Sequence, residues 1–112
     1  MDNRAPDAHQ RRAKRMSWTD DQIQSVWEKG RIIQGIDPAE WRCDDCTAWI
    51  LRDQYGNRNS IYGWEVDHID PDAGDDLPNL RPLQWKNNAS KQDSKSLTCP
   101  VTAKGNYNIE HP

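Results

Sequence analysis

Two ionisable side chains that could together hydrolyse a phosphodiester stand side by side in WEVDHIDP, residues 64–71. Histidine has an unperturbed pKa of about 6.5, so a neutral His68 ring can take a proton from water near neutral pH. Asp67 offers a hard oxygen ligand for a divalent cation that offsets charge on a phosphate. We interpret His68 as a general base and Asp67 as a metal ligand, although a hydrogen-bonded surface pair is the simpler interpretation of the dipeptide alone.

The elements that must position this pair are a strand, a turn-rich loop, a second short strand and a short helix. Trp64, Val66 and Ile69 are typical of a strand, which Pro71 ends. The loop DAGDDLPN is rich in turn formers, LRPLQW reads as an edge strand, and KNNASKQDSK as two or three helical turns. Neighbouring side chains in a regular strand point to opposite faces, so the pair can share one site only if the strand ends or twists there.

An amphipathic helix is predicted upstream, over about residues 19–29. Thr19 is placed as its N-cap, with Gln22 completing a capping box and Trp18 packing on Ile23 as a hydrophobic staple. Asp37 and Pro38 then predict one or two further helical turns. The segments CTAWILRDQYG and IYGWEVDHI are predicted to pair as a β-hairpin with a wide connection.

In this order the residues resemble the HNH endonuclease family, of the small stand-alone bacterial or phage type. The matching segments are EVDHIDP, DDLPNLRPLQW and NNASK, roughly residues 64–91, and CDDCTAWILRDQYG extends the likeness to about 40–92. The three positions that name the family fall on His68, Asn79 and Asn88, where asparagine is an accepted replacement for the final histidine. The resemblance implies an α+β fold with a ββα-metal core, preceded by the amphipathic helix and the β-hairpin.

The resemblance also implies a metal-dependent DNA endonuclease that hydrolyses phosphodiester bonds with a His68-activated water. Asp67 and Asn88 would hold the cation, with Mg²⁺ or Mn²⁺ expected and Ni²⁺ or Zn²⁺ as alternatives. Asn79 would act within the site, by fixing the histidine ring or by holding the loop. Asn87 is an alternative to Asn88, because adjacent helix positions differ by about 100° and only one can face the strand.

Two other functions stay open from the residues: a non-catalytic DNA-binding module on the same scaffold, and a nuclease toxin or effector. DNA is the expected partner, and a nuclease toxin would also have a protein inhibitor. The resemblance is also compatible with a larger phage or restriction-type assembly, and the oligomeric state is open.

The net charge is −3, but positive charge returns late in the chain. Arg81, Lys86 and Lys91 are interpreted as DNA phosphate contacts. Glu65 shares a strand face with Asp67, so a further metal ligand is one interpretation, but an exposed partner of an arginine is favoured. The four carboxylates Asp70, Asp72, Asp75 and Asp76 are interpreted as turn formers.

Three cysteines make an odd count, which disfavours a closed disulfide framework. Many HNH proteins bind a structural zinc with two CxxC pairs, and Cys43 and Cys46 match the first. Gln84 and Asn87 stand at the positions of the second pair and cannot complete a Cys₄ site, so a structural zinc is doubtful. Buried or free thiols are favoured over a three-thiolate site that includes Cys99.

The predicted organisation is a disordered basic arm over residues 1–16, a nuclease domain over 17–92 and a polar C-terminal tail over 93–112. The arm contains RRAKR, for which a solubilising run and a DNA-binding tail are equally good interpretations. A membrane partner is not expected, because the chain has no apolar run of about 18 residues and its start lacks the apolar region of a signal peptide. The expected location is therefore the cytoplasm.

Overall fold

The computed structural model describes residues 17–112, so the predicted basic arm lies outside the described residues. This part of the chain has an α+β fold, as predicted, with three two-stranded antiparallel sheets. Its elements are α1 (Asp20–Trp27), β1 (Trp41–Cys43), β2 (Trp49–Leu51), β3 (Trp64–His68), β4 (Leu80–Gln84), α2 (Trp85–Lys91), β5 (Val101–Lys104) and β6 (Tyr107–Glu110). Single 3₁₀ turns at Arg52–Gln54 and Leu77–Asn79 lie before β3 and β4.

The predicted capping box at the start of α1 is confirmed. The Thr19 hydroxyl accepts from the backbone N–H of Gln22 at 3.1 Å, and the Gln22 side chain accepts from the backbone N–H of Thr19 at 2.9 Å. Two N–H groups that lack helical partners are thereby satisfied. The helix buries Ile23, Val26 and Trp27 and is shorter than the predicted 19–29.

The predicted pairing of the two central strands is wrong. β2 pairs with β1, where Trp41 lies opposite Leu51, and β3 pairs with β4. The cause of the different pairing lies just before β1. The Asp37 side chain accepts from the N–H of Ala39 and supports only a single turn, so the chain is already extended at Trp41. The hairpin therefore forms one strand earlier, around a tight turn at Asp44 that precedes β2.

β3, β4 and α2 follow one another as a strand–strand–helix unit. In its antiparallel ladder, Asp67 lies opposite Arg81 and His68 lies opposite Leu80. Pro82 is part of β4, where an edge position tolerates a missing N–H. The helix α2 begins directly at Trp85 and packs on both strands. This unit, together with the loop between its two strands, holds every residue that the sequence singled out for catalysis.

The segment predicted as a polar tail instead forms the hairpin of β5 and β6. It is attached by long-range bonds that leave no local sequence signal. The Asn108 side chain bonds both the N–H and the carbonyl of Trp49, at 2.7 and 2.8 Å. A disulfide joins Cys46, in the β1–β2 turn, to Cys99, just before β5. The structured domain therefore extends to the C-terminal hairpin.

The core is small and built around tryptophan. Trp27 and Trp64 are fully buried, with ring centroids 5.2 Å apart, and Tyr55 packs on Trp64 at 5.0 Å. Each such ring removes about 150–250 Å² from water, so a few large rings replace many aliphatic contacts. Trp18 packs on the edge of this core. Within residues 17–112, no helix is long and apolar enough to cross a membrane.

Candidate functional site

The strand β3 ends at His68, which meets the geometric condition for a shared site. Asp67 and His68 both line one cavity of about 240 Å³, and Asn88 and Lys91 line it from α2. Its remaining walls come from Arg58, Val66, Pro71, Ala89, Gln92 and Asp93. Adjacent strand residues therefore reach the same cavity, because the regular extended backbone stops at the second of them.

The His68 ring is held by two groups that lie outside its own strand. Its Nε2 atom lies 2.6 Å from Oδ1 of Asp75, a residue of the loop between β3 and β4. The Trp18 ring packs on it with centroids 5.8 Å apart. The side chain is 11% exposed, so the ring is enclosed but retains access to the cavity.

Asp67 is buried and paired with two protein cations. Its Oδ2 accepts from Nε of Arg81 at 2.8 Å, and its Oδ1 lies 3.2 Å from Nζ of Lys91. Lys91 also donates to the backbone carbonyl of His68 at 2.9 Å. The predicted metal ligand is therefore charge-compensated from within the protein.

This pairing changes the interpretation of the predicted phosphate contacts. The side chains of Arg81 and Lys91 are only 12% and 1% exposed and pair with Asp67, and Arg81 also pairs with Asp45 at 3.1 Å. Lys86 is more exposed and pairs with Glu110 at 2.6 Å. Arg58, which the sequence did not single out, lies at the cavity with a side chain that is 54% exposed.

Asn79 holds the loop between β3 and β4 rather than the histidine ring. Its side chain accepts from the N–H of Asp70 at 2.9 Å and donates to the carbonyls of Asp70 and Gly74 at 3.0 and 2.8 Å. Of the two roles considered for this residue, the geometry selects loop fixation. The loop is also held by the segment that follows α1, because the Lys29 ammonium donates to the carbonyls of Leu77 and of Leu80, the first residue of β4.

The two asparagines of α2 face different parts of the molecule. Asn88 lines the cavity, and its Nδ2 donates to Oε1 of Glu65 at 3.0 Å. Arg58 makes a bidentate bond to the same carboxylate, at 2.7 and 2.8 Å, which confirms the interpretation of Glu65 as the partner of an arginine. Asn87 is fully buried and turns towards the β1–β2 turn. Asn88 is therefore the asparagine that can serve the cavity.

A carboxylate network around Asp44 links the β1–β2 turn to Gln84 and Asn87. Asp44 Oδ1 accepts from the N–H groups of Cys46 and Ala48, and its Oδ2 accepts from the N–H of Gln84 and from Nδ2 of Asn87. Burial raises the pKa of Asp44, and these four hydrogen bonds oppose that shift. The four hydrogen bonds therefore fix the β1–β2 turn against the start of α2.

The cysteines do not form a metal site. Cys46 is bonded to Cys99, so its sulfur is not a free thiolate, and the expectation of no closed disulfide is wrong. Cys43 is a buried thiol, as one of the interpretations held, and burial raises its pKa to about 11. Across residues 17–112, no group of three or more His, Cys, Asp and Glu side chains could hold a metal ion.

Comparison with known proteins found no matching family model, no similar curated protein and no similar solved structure. The site is therefore characterised by its own geometry. Sequence reasoning named four residues that line the cavity (Asp67, His68, Asn88 and Lys91) and Asn79, which holds the loop beside it, and it missed the roles of Arg58 and Asp75. Asp75 gave no signal, because it stands among other turn-forming aspartates.

Proposed function

We propose that this chain is a metal-dependent DNA endonuclease of the HNH type, which hydrolyses phosphodiester bonds. The observation that carries the proposal is that the β3–β4–α2 unit brings Asp67, His68 and Asn88 to one cavity. The strand–strand–helix order and the fixed loop support the same assignment, since a general base, hard oxygen ligands and a rigid loop are what this chemistry needs.

The oxygen donors of the cavity fit a hard divalent cation such as Mg²⁺ or Mn²⁺. The carboxylate of Asp67 and the amide oxygen of Asn88 would hold it, because the amide nitrogen of Asn88 is already committed to Glu65. When bound, such a cation supplies positive charge to the phosphate and to the leaving oxygen. Two protein ligands are sufficient where water and phosphate oxygens complete the coordination.

The chain's own residues supply the remaining chemistry. His68 accepts the proton of the attacking water, and its ring is held between Trp18 and Asp75. Glu65 orients Asn88. Arg58 is the most exposed cation at the cavity and is best placed to contact a phosphate.

A second candidate function is a non-catalytic DNA-binding module, and one specific observation favours it. Arg81 and Lys91 already neutralise Asp67, so a metal ion must compete with an ammonium group for the carboxylate. A scaffold that has given up its metal could keep such ion pairs permanently. The intact His68 and Asn88, both open to the cavity, favour the enzyme.

A plasmid-nicking assay with Mg²⁺, Mn²⁺, Ni²⁺ or Zn²⁺ tests the proposal. We expect nicking by the wild-type protein, loss of nicking in EDTA, and a decrease of about 10²–10⁴-fold in His68→Ala, the usual range for general-base catalysis. His111→Ala is the matched control, because that histidine is exposed and follows β6. If wild-type protein shifts DNA in a gel but is as inert as His68→Ala with every metal, the non-catalytic module is the correct function.

A further inference from the structure

We propose that Asp75 is a positioning residue that fixes the His68 ring with its proton on Nε2, so that Nδ1 is the nitrogen that accepts from water in the cavity. This inference rests on the proposed nuclease function for its catalytic consequence. Its structural part concerns the ring alone and can be tested without any cleavage.

The first support is the contact between the two side chains. Oδ1 of Asp75 lies 2.6 Å from Nε2 of His68, a short distance typical of a hydrogen bond to a charged group. An ionised carboxylate can only accept, so Nε2 must carry the proton and donate it. In the neutral ring the other nitrogen, Nδ1, is then the acceptor.

The second support is the direction from which the carboxylate reaches the ring. His68 lines the 240 Å³ cavity together with Asp67 and Asn88, and Asp75 does not line that cavity. Asp75 instead lines a separate groove, in which residues of α1 such as Ser25 face the loop. The carboxylate therefore holds the ring from the side away from the cavity and leaves the cavity side to water and substrate.

The third support is that Asp75 is itself held in place. Asn79 donates to the carbonyl of Gly74, the residue directly before it, at 2.8 Å. Gly74 has a φ of +104°, a conformation that side-chain-bearing residues rarely adopt. The loop is therefore held in one conformation that places the Asp75 carboxylate against the His68 ring. Asn79 thus acts on His68 through Asp75.

The chemical consequence follows from the tautomer. A base whose acceptor nitrogen points away from the attacking water cannot take its proton, however well the substrate binds. Groups that orient a functional histidine in this way are commonly worth about 10–100-fold in activity. We therefore expect Asp75 to affect the rate constant of cleavage, with little effect on DNA binding.

The experiment compares Asp75→Ala and Asp75→Glu with the control Asp76→Ala, which removes an exposed carboxylate from the next position of the same loop. Nitrogen-15 NMR of the ring, assigned with His68→Gln, reports the tautomer and the exchange of its proton. Wild type should show a slowly exchanging proton on Nε2, which Asp75→Ala loses and Asp76→Ala keeps. Cleavage should decrease about 10–100-fold in Asp75→Ala at unchanged KM, and Asp75→Glu should recover part of the rate.

The outcomes separate this inference from the proposed function. A wild-type ring protonated on Nδ1, or a full cleavage rate in Asp75→Ala, overturns the role of Asp75. A wild-type protein that cuts no DNA overturns the nuclease, and the NMR measurement then decides by itself whether Asp75 fixes the ring.

Discussion

Lys91 and Asp67 form an ion pair that is almost completely shielded from water. Nζ lies 3.2 Å from Oδ1, and the two side chains are 1% and 4% exposed. Removing one partner of a buried pair leaves an uncompensated charge in a poorly solvated place, which typically costs about 3–5 kcal/mol. The pair therefore couples the stability of the domain to the residue proposed to bind the metal.

Lys91→Met is expected to lower the free energy of unfolding by about 3 kcal/mol, because Arg81 alone then compensates Asp67. Urea denaturation in EDTA measures this loss. Lys95→Met is the matched control, since Lys95 is 71% exposed and lies 3.4 Å from Asp70, a geometry worth less than about 1 kcal/mol. Equal losses in the two variants would contradict the buried pair.

Lys91→Met also tests whether Asp67 binds the divalent cation. With the ammonium gone, Mg²⁺ at millimolar concentration should stabilise Lys91→Met more than the wild type, because binding to the folded state alone raises its stability. Asp67→Asn combined with Lys91→Met should lose this effect. If Mg²⁺ shifts all three proteins equally, Asp67 is not the ligand.

Asp44→Asn is expected to destabilise the protein, although it keeps the shape of the side chain. Each oxygen of Asp44 accepts from two N–H donors, so either orientation of an amide sets its NH₂ group against two donors. A buried donor that loses its acceptor costs about 1–3 kcal/mol. Thermal and urea unfolding measure the loss, and Asp45→Asn, at a neighbouring side chain that is 57% exposed, should change stability by less than about 1 kcal/mol. If Asp44→Asn leaves the free energy of unfolding unchanged, the four hydrogen bonds of Asp44 are not formed as described.

The cysteines should give three different counts with a thiol reagent. Native protein at pH 8 should show no reactive thiol, because burial raises the pKa of Cys43 to about 11 and the thiolate is the reactive form. Unfolding without reductant should expose one thiol, and unfolding with reductant should expose all three. Three thiols without reductant would exclude the disulfide.

The raised pKa of Cys43 also fixes the sign of a pH effect. The folded protein holds this proton more tightly than the unfolded chain, whose thiol has a pKa of about 9. The contribution to stability is therefore complete below pH 9 and is lost as the pH rises through about 11. Cys43→Ala should remove this part of the alkaline loss of stability, as unfolding measured at pH 8 and pH 10.5 would show.

Asn79→Ala should reduce cleavage through Asp75, because Asn79 holds the carbonyl of the residue before it. We expect a decrease of about 10–100-fold, and the double variant with Asp75→Ala should be little worse than either single variant. Single-turnover cleavage rates measure the coupling. Asn106→Ala, in the exposed turn between β5 and β6, is the matched control. Additive losses would mean that Asn79 and Asp75 act separately.

Local features were predictable from the sequence, since their partners are close along the chain. The capping box joins residues three apart. Pro71 correctly predicted that β3 ends before it, and the strand ends at His68. The separation of Asn87 from Asn88 followed from helix geometry alone. These elements determine which side chains can meet at the cavity.

The missed features all depend on partners that are distant in sequence. β1 has only three residues, and its pairing with β2 depends on a turn tied by Asp44 to the start of α2. The β5–β6 hairpin depends on Asn108, whose partner Trp49 is 59 residues away. Arg81 in β4 and Lys91 in α2 both pair with Asp67, and no local sequence pattern predicts these pairs.

The Cys46–Cys99 bond closes a covalent ring that contains the whole β3–β4–α2 unit. A protease that cuts one peptide bond inside this ring adds a water molecule without releasing a fragment. The two pieces migrate together in a denaturing gel until a reductant separates them. Digestion experiments on this protein therefore need paired reduced and non-reduced lanes, since a cleaved loop beside His68 is invisible in the second.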